Sequence, residues 1–245
     1  MQYLDYKTQA KWQATRLTQY SLLVSISLLL WIIPTTRLFC IWLDAKTFEA
    51  LNSSLLYSRA WQLLWGYLNH PNESWLNVIF LIAVNIVGIY SLPNFRRRKA
   101  LAGVIYFWVF FQFVLLFTNK FFAGWLDIHR ASPSLVISPW VLLTDSLNIA
   151  SLKVSSTNSF PAGHALVLIF WAKFTMLYSK PWVHKLAWLT VLVLILPRMF
   201  SGAHWLSDVV FTVCYSLLWF EIAAGTPLFG FATRNIEKLI GEKTT

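Results

Sequence analysis

Charge is scarce in this sequence. Asp, Glu, Lys and Arg make up 12% of its 245 residues against 57% hydrophobic residues, and the mean hydropathy is +0.56. A chain this apolar falls outside the ordinary soluble globular classes. Acidic residues are the rarer sign, 10 against 20 Lys and Arg, which leaves a formal net charge of +10. The cations are scattered over short loops rather than gathered with aromatics on one face, which argues against nucleic acid as a partner. Cysteine is almost missing: Cys40 and Cys214 fit no metal-ligand pattern, and nothing in the sequence brings them together as a disulfide. Long polar linkers, internal repeats and low-complexity tracts are missing too, so residues 1–245 read as one domain. No small-residue cleavage site follows the first apolar run, which therefore reads as a membrane span rather than a cleaved signal.

What the sequence does have is long apolar runs. Crossing a bilayer takes roughly 20 mostly apolar residues, and runs of this kind predict an all-α, polytopic bundle of six transmembrane helices, at residues 19–36, 75–93, 100–118, 164–178, 186–200 and 205–224. Short loops rich in Lys and Arg stay cytoplasmic. Lys7, Lys11 and Arg16 precede the first span, Arg96-Arg97-Arg98-Lys99 separate the second and third, Lys180 and Lys185 separate the fourth and fifth, and Arg234, Lys238 and Lys243 follow the sixth. With six spans all of these share one face. Both termini are then cytoplasmic, and Arg130, His164 and His204 face outward, which in a Gram-negative inner membrane means the periplasm. The 17% aromatic content, with 14 Trp, predicts interfacial belts and lipid-facing surface. Residues 37–74 mix Asp44, Lys46, Glu49 and Arg59 with Leu, Trp and Tyr; they read as an outward amphipathic segment in the headgroup plane or equally as a packed connector.

The chemistry-bearing residues lie at the predicted outer helix ends. Arg198, His204 and Asp208 stand at R-x5-H-x3-D spacing. A helix opening near Trp205 puts Asp208 about one turn beyond His204, where its carboxylate can take a hydrogen bond from one imidazole nitrogen and leave the other as a nucleophile. Arg198 offers a fork of donors to a phosphate. Taken singly, each residue reads as a snorkelling interface anchor. Ser159-Phe-Pro-Ala-Gly163-His164 opens the fourth span, where Gly163 lets backbone amides approach an anion and His164 stands ready to protonate a leaving oxygen. His129-Arg130-Ala-Ser-Pro133 follows the third span and supplies a second arginine fork. His129 reads as surface or supporting, His70 as part of an outward polar loop, and His184 as cytoplasmic among Lys residues.

At these residues the sequence resembles the type 2 phosphatidic acid phosphatase family of membrane lipid phosphatases. The family's motifs K-x6-R-P, P-S-G-H and S-R-x5-H-x3-D are matched by His129 to Pro133, by Pro161-Ala-Gly-His164 and by Pro197-Arg198 through Asp208, over roughly residues 117–224. The resemblance implies that His204 is the nucleophile and forms a phosphohistidine, that Asp208 orients it, that His164 is the acid and that Arg130 and Arg198 hold the phosphoryl group, with no metal or other cofactor. Three departures stand out. The family's lysine would fall on Ala123, and Lys120, one turn earlier, is the nearest substitute. Arg-Pro is opened to Arg130-Ala-Ser-Pro133, and the motif serines are replaced by Ala162 and Pro197.

The first and third motifs are similar to one branch of the family. That branch moves the distal phosphate of undecaprenyl diphosphate to the 1-phosphate of Kdo2-lipid A at the periplasmic face. The catalytic residues do not distinguish this transfer from hydrolysis of undecaprenyl diphosphate or another lipid phosphate, because the same side chains serve both fates; residues 37–73 and 135–157, the latter with Lys153, are where acceptor choice would lie. A transport or scaffold role would instead place polar residues along a path within the spans, for which Asn85 and Glu221 are weak candidates.

Overall fold

The computed structural model describes residues 6–70, 73–225 and 227–241. Their regular structure is helical: α1 (Tyr6–Ile32), α2 (Pro34–Ser53), α3 (Arg59–Tyr67), α4 (Glu73–Tyr90), α5 (Asn94–Asn119), the short α6 (Pro133–Val136) and α7 (Leu143–Leu147), α8 (Gly163–Tyr178), α9 (Pro181–Phe200), α10 (Leu206–Gly225) and α11 (Pro227–Gly241). Proline sets several of these starts, because its fixed φ suits a first helical turn whose amide would lack an intrahelical partner anyway. Pro34 follows extended Ile33 at the head of α2, and Pro181 follows extended Lys180 at the head of α9.

Among the described residues, Ala14–Ile32, Arg96–Trp125, Pro181–Phe200 and Leu206–Gly225 are long and apolar enough to cross a bilayer, while Leu81–Tyr90 and Gly163–Leu177 are apolar but shorter. The chain is a multi-pass membrane protein. Five of the expected spans each fall on one helix, the second and fourth on stretches that are short for a crossing, while the first, 19–36, runs past the end of α1 at Ile32 into the start of α2. Lys243, residues 71 and 72 of the expected outward segment, and the side chains of Lys7 and Lys11 lie outside the described residues.

Helices α9 and α10 both pack along α8, which places the start of α8, the end of α9 and the start of α10 at one end of the bundle. The cations Arg96 to Lys99 and Lys180 lie at the starts of α5 and α9, at the other end. Aromatics hold the interior together. Phe107 of α5 meets Phe174 of α8 and stacks on Phe220 of α10, and Phe229 of α11 closes on Tyr106 and Phe107. Interfacial belts therefore explain only part of the aromatic content: Trp42, Trp125, Trp140 and Trp182 are exposed, but a buried Phe cluster forms the core between α5, α8 and α10. The final helix α11 was not expected; it packs along α5 through Phe229, Ala232 and Ile236.

Residues 37–70 cap the site end of the bundle. Trp65 of α3 stacks on Phe200 at the end of α9, with ring centroids 4.2 Å apart, and Trp61 meets Phe200 edge-on. Asn52, fully buried on α2, accepts from the Val141 amide and donates to the carbonyls of Val141 and Phe200. Because each polar atom of this side chain is satisfied, the cap is held in one register over the α9 terminus.

Candidate active site

The turn between α9 and α10 builds the site. Helix α9 ends at Phe200, and Gly202 takes a left-handed φ of +82°, a conformation that costs glycine little and other residues more. The chain then folds back, so that the Arg198 carbonyl accepts from the amides of both Ala203 (2.8 Å) and His204 (3.2 Å). The five-residue spacing between Arg198 and His204 is thus the length of one helix stop. Gly202 is also needed for space, because a Cβ there would lie 2.7 Å from the Phe48 ring and 2.9 Å from Ser134 Cβ.

His164, at the second position of α8, meets Arg198 and His204 from the side. These three side chains, with Ala162, Ala165, Ile195 and Val209, line one small cavity. His204 Nδ1 lies 2.8 Å from the Ser159 carbonyl. Only a protonated Nδ1 can donate to a carbonyl, so this contact assigns the tautomer and leaves Nε2 with a free lone pair. His164 Nε2 donates to the Leu194 carbonyl at 2.9 Å, leaving Nδ1 for proton exchange. Arg198 Nη1 is buried and has no hydrogen-bond partner among the described residues. A buried, unpaired guanidinium N–H is costly, and an anion in the cavity removes the cost. Gly163 faces open space, with nothing within 4 Å of where a Cβ would sit, which keeps the start of α8 accessible to an anion.

His204 lies in the turn between two spans, and its imidazole is held neutral. Burial pushes its pKa down from 6.5 to about 4; the Ser159 carbonyl opposes this, and the charges of His164, Arg198 and Lys153 add to the depression. A neutral imidazole is the nucleophilic form.

Two expected roles are not what the structure displays. Asp208 does not orient His204. Its Oδ2 accepts from the Trp205 amide at 3.1 Å, an N3 carboxylate closing back on the residue before α10, and its Oδ1 accepts from Arg130 Nη1 at 2.5 Å. The imidazole is oriented by the Ser159 carbonyl instead. Arg130, expected to present its fork to phosphate, spends that fork on carboxylates: Nη1 meets Asp208 and Ser207, Nη2 meets Asp44 Oδ2 at 2.6 Å, and the guanidinium sits over the rings of Trp31 and Trp205. Asp44, 1% exposed on α2, also accepts from the amide and hydroxyl of Ser207. Lys120 is exposed at the head of the π-helical turn Lys120–Trp125 and is not among the cavity-lining residues. Sequence reasoning missed Asp44, the Ser159 carbonyl and Asn52. A single carboxylate in a polar-looking segment gave no signal that it would be buried, and a carbonyl ligand has no side-chain signature. His70 bonds Ser151, His129 pairs with exposed Asp127, and His184 bonds Ser179 at the other end, so none joins the cavity.

A family model, the PAP2 superfamily, matches residues 53–227. The chain belongs to that family. It is an enzyme of the PAP2 class of lipid phosphatases and phosphotransferases. It is 25% identical over 191 residues to lipid A 1-diphosphate synthase of Escherichia coli (strain K12), covering 77% of this chain and 78% of that protein. The crystal structure of a transmembrane PAP2-type phosphatidylglycerolphosphate phosphatase from Bacillus subtilis superposes with a TM-score of 0.48 and 17% identity, covering 87% of this chain and 94% of that one.

Proposed function

We propose that this PAP2 enzyme moves the distal phosphate of undecaprenyl diphosphate to the 1-phosphate of Kdo2-lipid A through a phosphohistidine on His204. The observation that carries the chemistry is the single cavity shared by neutral His204, His164 and the unpaired Arg198. His204 Nε2 attacks the distal phosphorus while the bond to the bridging oxygen breaks. His164, entering this step protonated at Nδ1 as well, gives that proton to the oxygen as undecaprenyl phosphate leaves, and Arg198 neutralises the charge on the transferring group. A hydroxyl oxygen of the lipid A 1-phosphate then attacks the phosphohistidine, its proton returning to His164 Nδ1 as the P–N bond breaks and frees His204. The choice of donor and acceptor rests on the likeness to lipid A 1-diphosphate synthase across most of both chains, and both are lipids with anionic headgroups suited to a basic pocket at a helix-bundle end.

The same reading orients the protein. With the cations Arg96 to Lys99, Lys180 and Lys185 on the cytoplasmic side of a bacterial inner membrane, the cavity faces the periplasm and both termini are cytoplasmic. Asp208 and Arg130 serve by fixing α10 against α2. Gly163 admits phosphate to the start of α8, and Lys120 is left as a surface residue.

The test follows a label. Purified protein receives undecaprenyl diphosphate labelled in its distal phosphate, with and without Kdo2-lipid A, beside a His204→Ala control. Label on lipid A that is lost in the variant supports the transfer. Label released only as inorganic phosphate, with lipid A present, makes water the acceptor and overturns it.

A further inference from the structure

The cavity explains how one phosphate is held, but a lipid diphosphate brings two. A diphosphate monoester carries more negative charge than Arg198 alone neutralises, and its second phosphate lies beyond the one that His204 attacks. A further cation stands at the rim, where residues 151–159 form a strap tied to the segment after Arg130 and to the α9–α10 turn.

This strap is sewn down on both sides. The Ser159 amide donates to the Arg130 carbonyl at 2.7 Å, and the Ser132 amide donates to the Ser156 carbonyl at 2.9 Å. On the other side the Lys153 carbonyl accepts from Ser201 Oγ at 3.1 Å and from Asn69 Nδ2 at 2.8 Å. Ser201 belongs to the turn that carries Arg198 and His204, so the Lys153 backbone is fixed to the catalytic turn itself. Its neighbours Leu152 and Val154 are buried in the cluster around Phe200 and Trp65. The Val154 amide donates to the Leu152 carbonyl at 3.0 Å, so Lys153 sits at the tip of a tight γ-turn between two buried neighbours and its own side chain is exposed. No carboxylate pairs with it among the described residues. Its charge nevertheless reaches His204, where it helps disfavour protonation.

We propose that Lys153 is a specificity residue that recognises the phosphate next to the reacting one, so that the enzyme prefers lipid diphosphates over lipid monophosphates. In the reaction set out above, on which this inference rests, that phosphate is the one that stays on the leaving lipid. Lys153 holds it at the rim while Arg198 holds the distal phosphate inside, and the fixed backbone sets the separation between the two cations.

The experiment compares wild-type protein with Lys153→Ala and Lys153→Arg, using undecaprenyl diphosphate as donor, saturating Kdo2-lipid A as acceptor and undecaprenyl monophosphate as competing inhibitor, at one low ionic strength. Removing the ammonium should raise KM for the diphosphate about tenfold, the scale of one exposed charge-assisted contact, and leave kcat within about twofold. The inhibition constant of the monophosphate should not move, and arginine should restore most of the preference. Equal weakening for both lipids would reduce Lys153 to general attraction of anionic headgroups and overturn the assignment, as would a fall in kcat at unchanged KM or no change at all. Transfer of the distal phosphate to lipid A by wild-type protein keeps the parent reading alive in each of those cases; its absence sinks the parent reading and this inference together.

Discussion

Arg198 and Arg130 sit at the same end of the bundle, and the sequence presents them as equals. The structure separates them. Arg198 projects into a cavity with two histidines and leaves a buried N–H unpaired, whereas Arg130 is neutralised by Asp44 and Asp208 and sandwiched between Trp31 and Trp205. An arginine that already holds two carboxylates is a brace, and one without a partner is a binding site waiting for an anion. The difference comes from α2. Its Asp44 is 86 positions from Arg130 in sequence and reaches it only because residues 37–70 fold back over the bundle end.

The largest effect that tests this contrast is expected at the brace. Arg130→Ala leaves Asp44 and Asp208 as buried carboxylates without their cation, a loss of about 3–5 kcal/mol for a broken buried pair. It should appear as a large fall in unfolding midpoint in detergent. A folded, normally stable R130A protein would mean that the carboxylates find other partners and that the brace is not one. Arg198→Ala should do the opposite: the fold survives, because no described contact is lost, while kcat/KM drops about 10²–10³-fold, the scale of removing one donor from a developing anion. Lysine at 198 should recover only part of that, since a point charge replaces a planar fork.

How much of this was legible follows the same divide. Arg198, His204 and His164 could be read because their relation is local: a helix stop at Gly202 fixes the R-x5-H spacing, and a helix start fixes His164. Roles that depend on a partner far along the chain could not be read. Asp208 lies one turn from His204 in sequence, which made an Asp–His contact the natural expectation, yet in space the carboxylate turns to Trp205 and Arg130. The helices themselves were visible in hydropathy, but α11 was not, because its apolar residues Phe229, Ala232 and Ile236 gain meaning only against α5. Gly202 tests the local half of this account. Gly202→Ala meets both a left-handed φ and the Phe48 ring, and should cost about 1–3 kcal/mol of stability. Activity should fall further than stability, since the turn sets where His204 stands relative to Arg198. Thermal melts read beside kcat/KM separate the two.

The smallest effect, and the finest discrimination, is in pH. The free His204 has its pKa depressed to about 4, with Arg198 but not Arg130 among the charges that act on it. Because the neutral imidazole attacks, kcat/KM should hold as pH falls below 6.5 and lose activity from His204 protonation only on approaching 4. The sign for stability agrees: a histidine whose folded pKa lies below its unfolded value takes up its proton more readily in the unfolded chain, so the fold loses stability between about 6.5 and 4 as the pH drops. Arg198→Ala removes a neighbouring cation and should move the acid limb upward toward the ordinary imidazole range. A conservative change at the brace, Arg130→Lys, should leave the limb in place in whatever fraction remains folded. Limbs that shift together would place both arginines in one electrostatic site and undo the division between brace and binder; a shift confined to Arg198 ties the nucleophile's proton affinity to the phosphate clamp beside it.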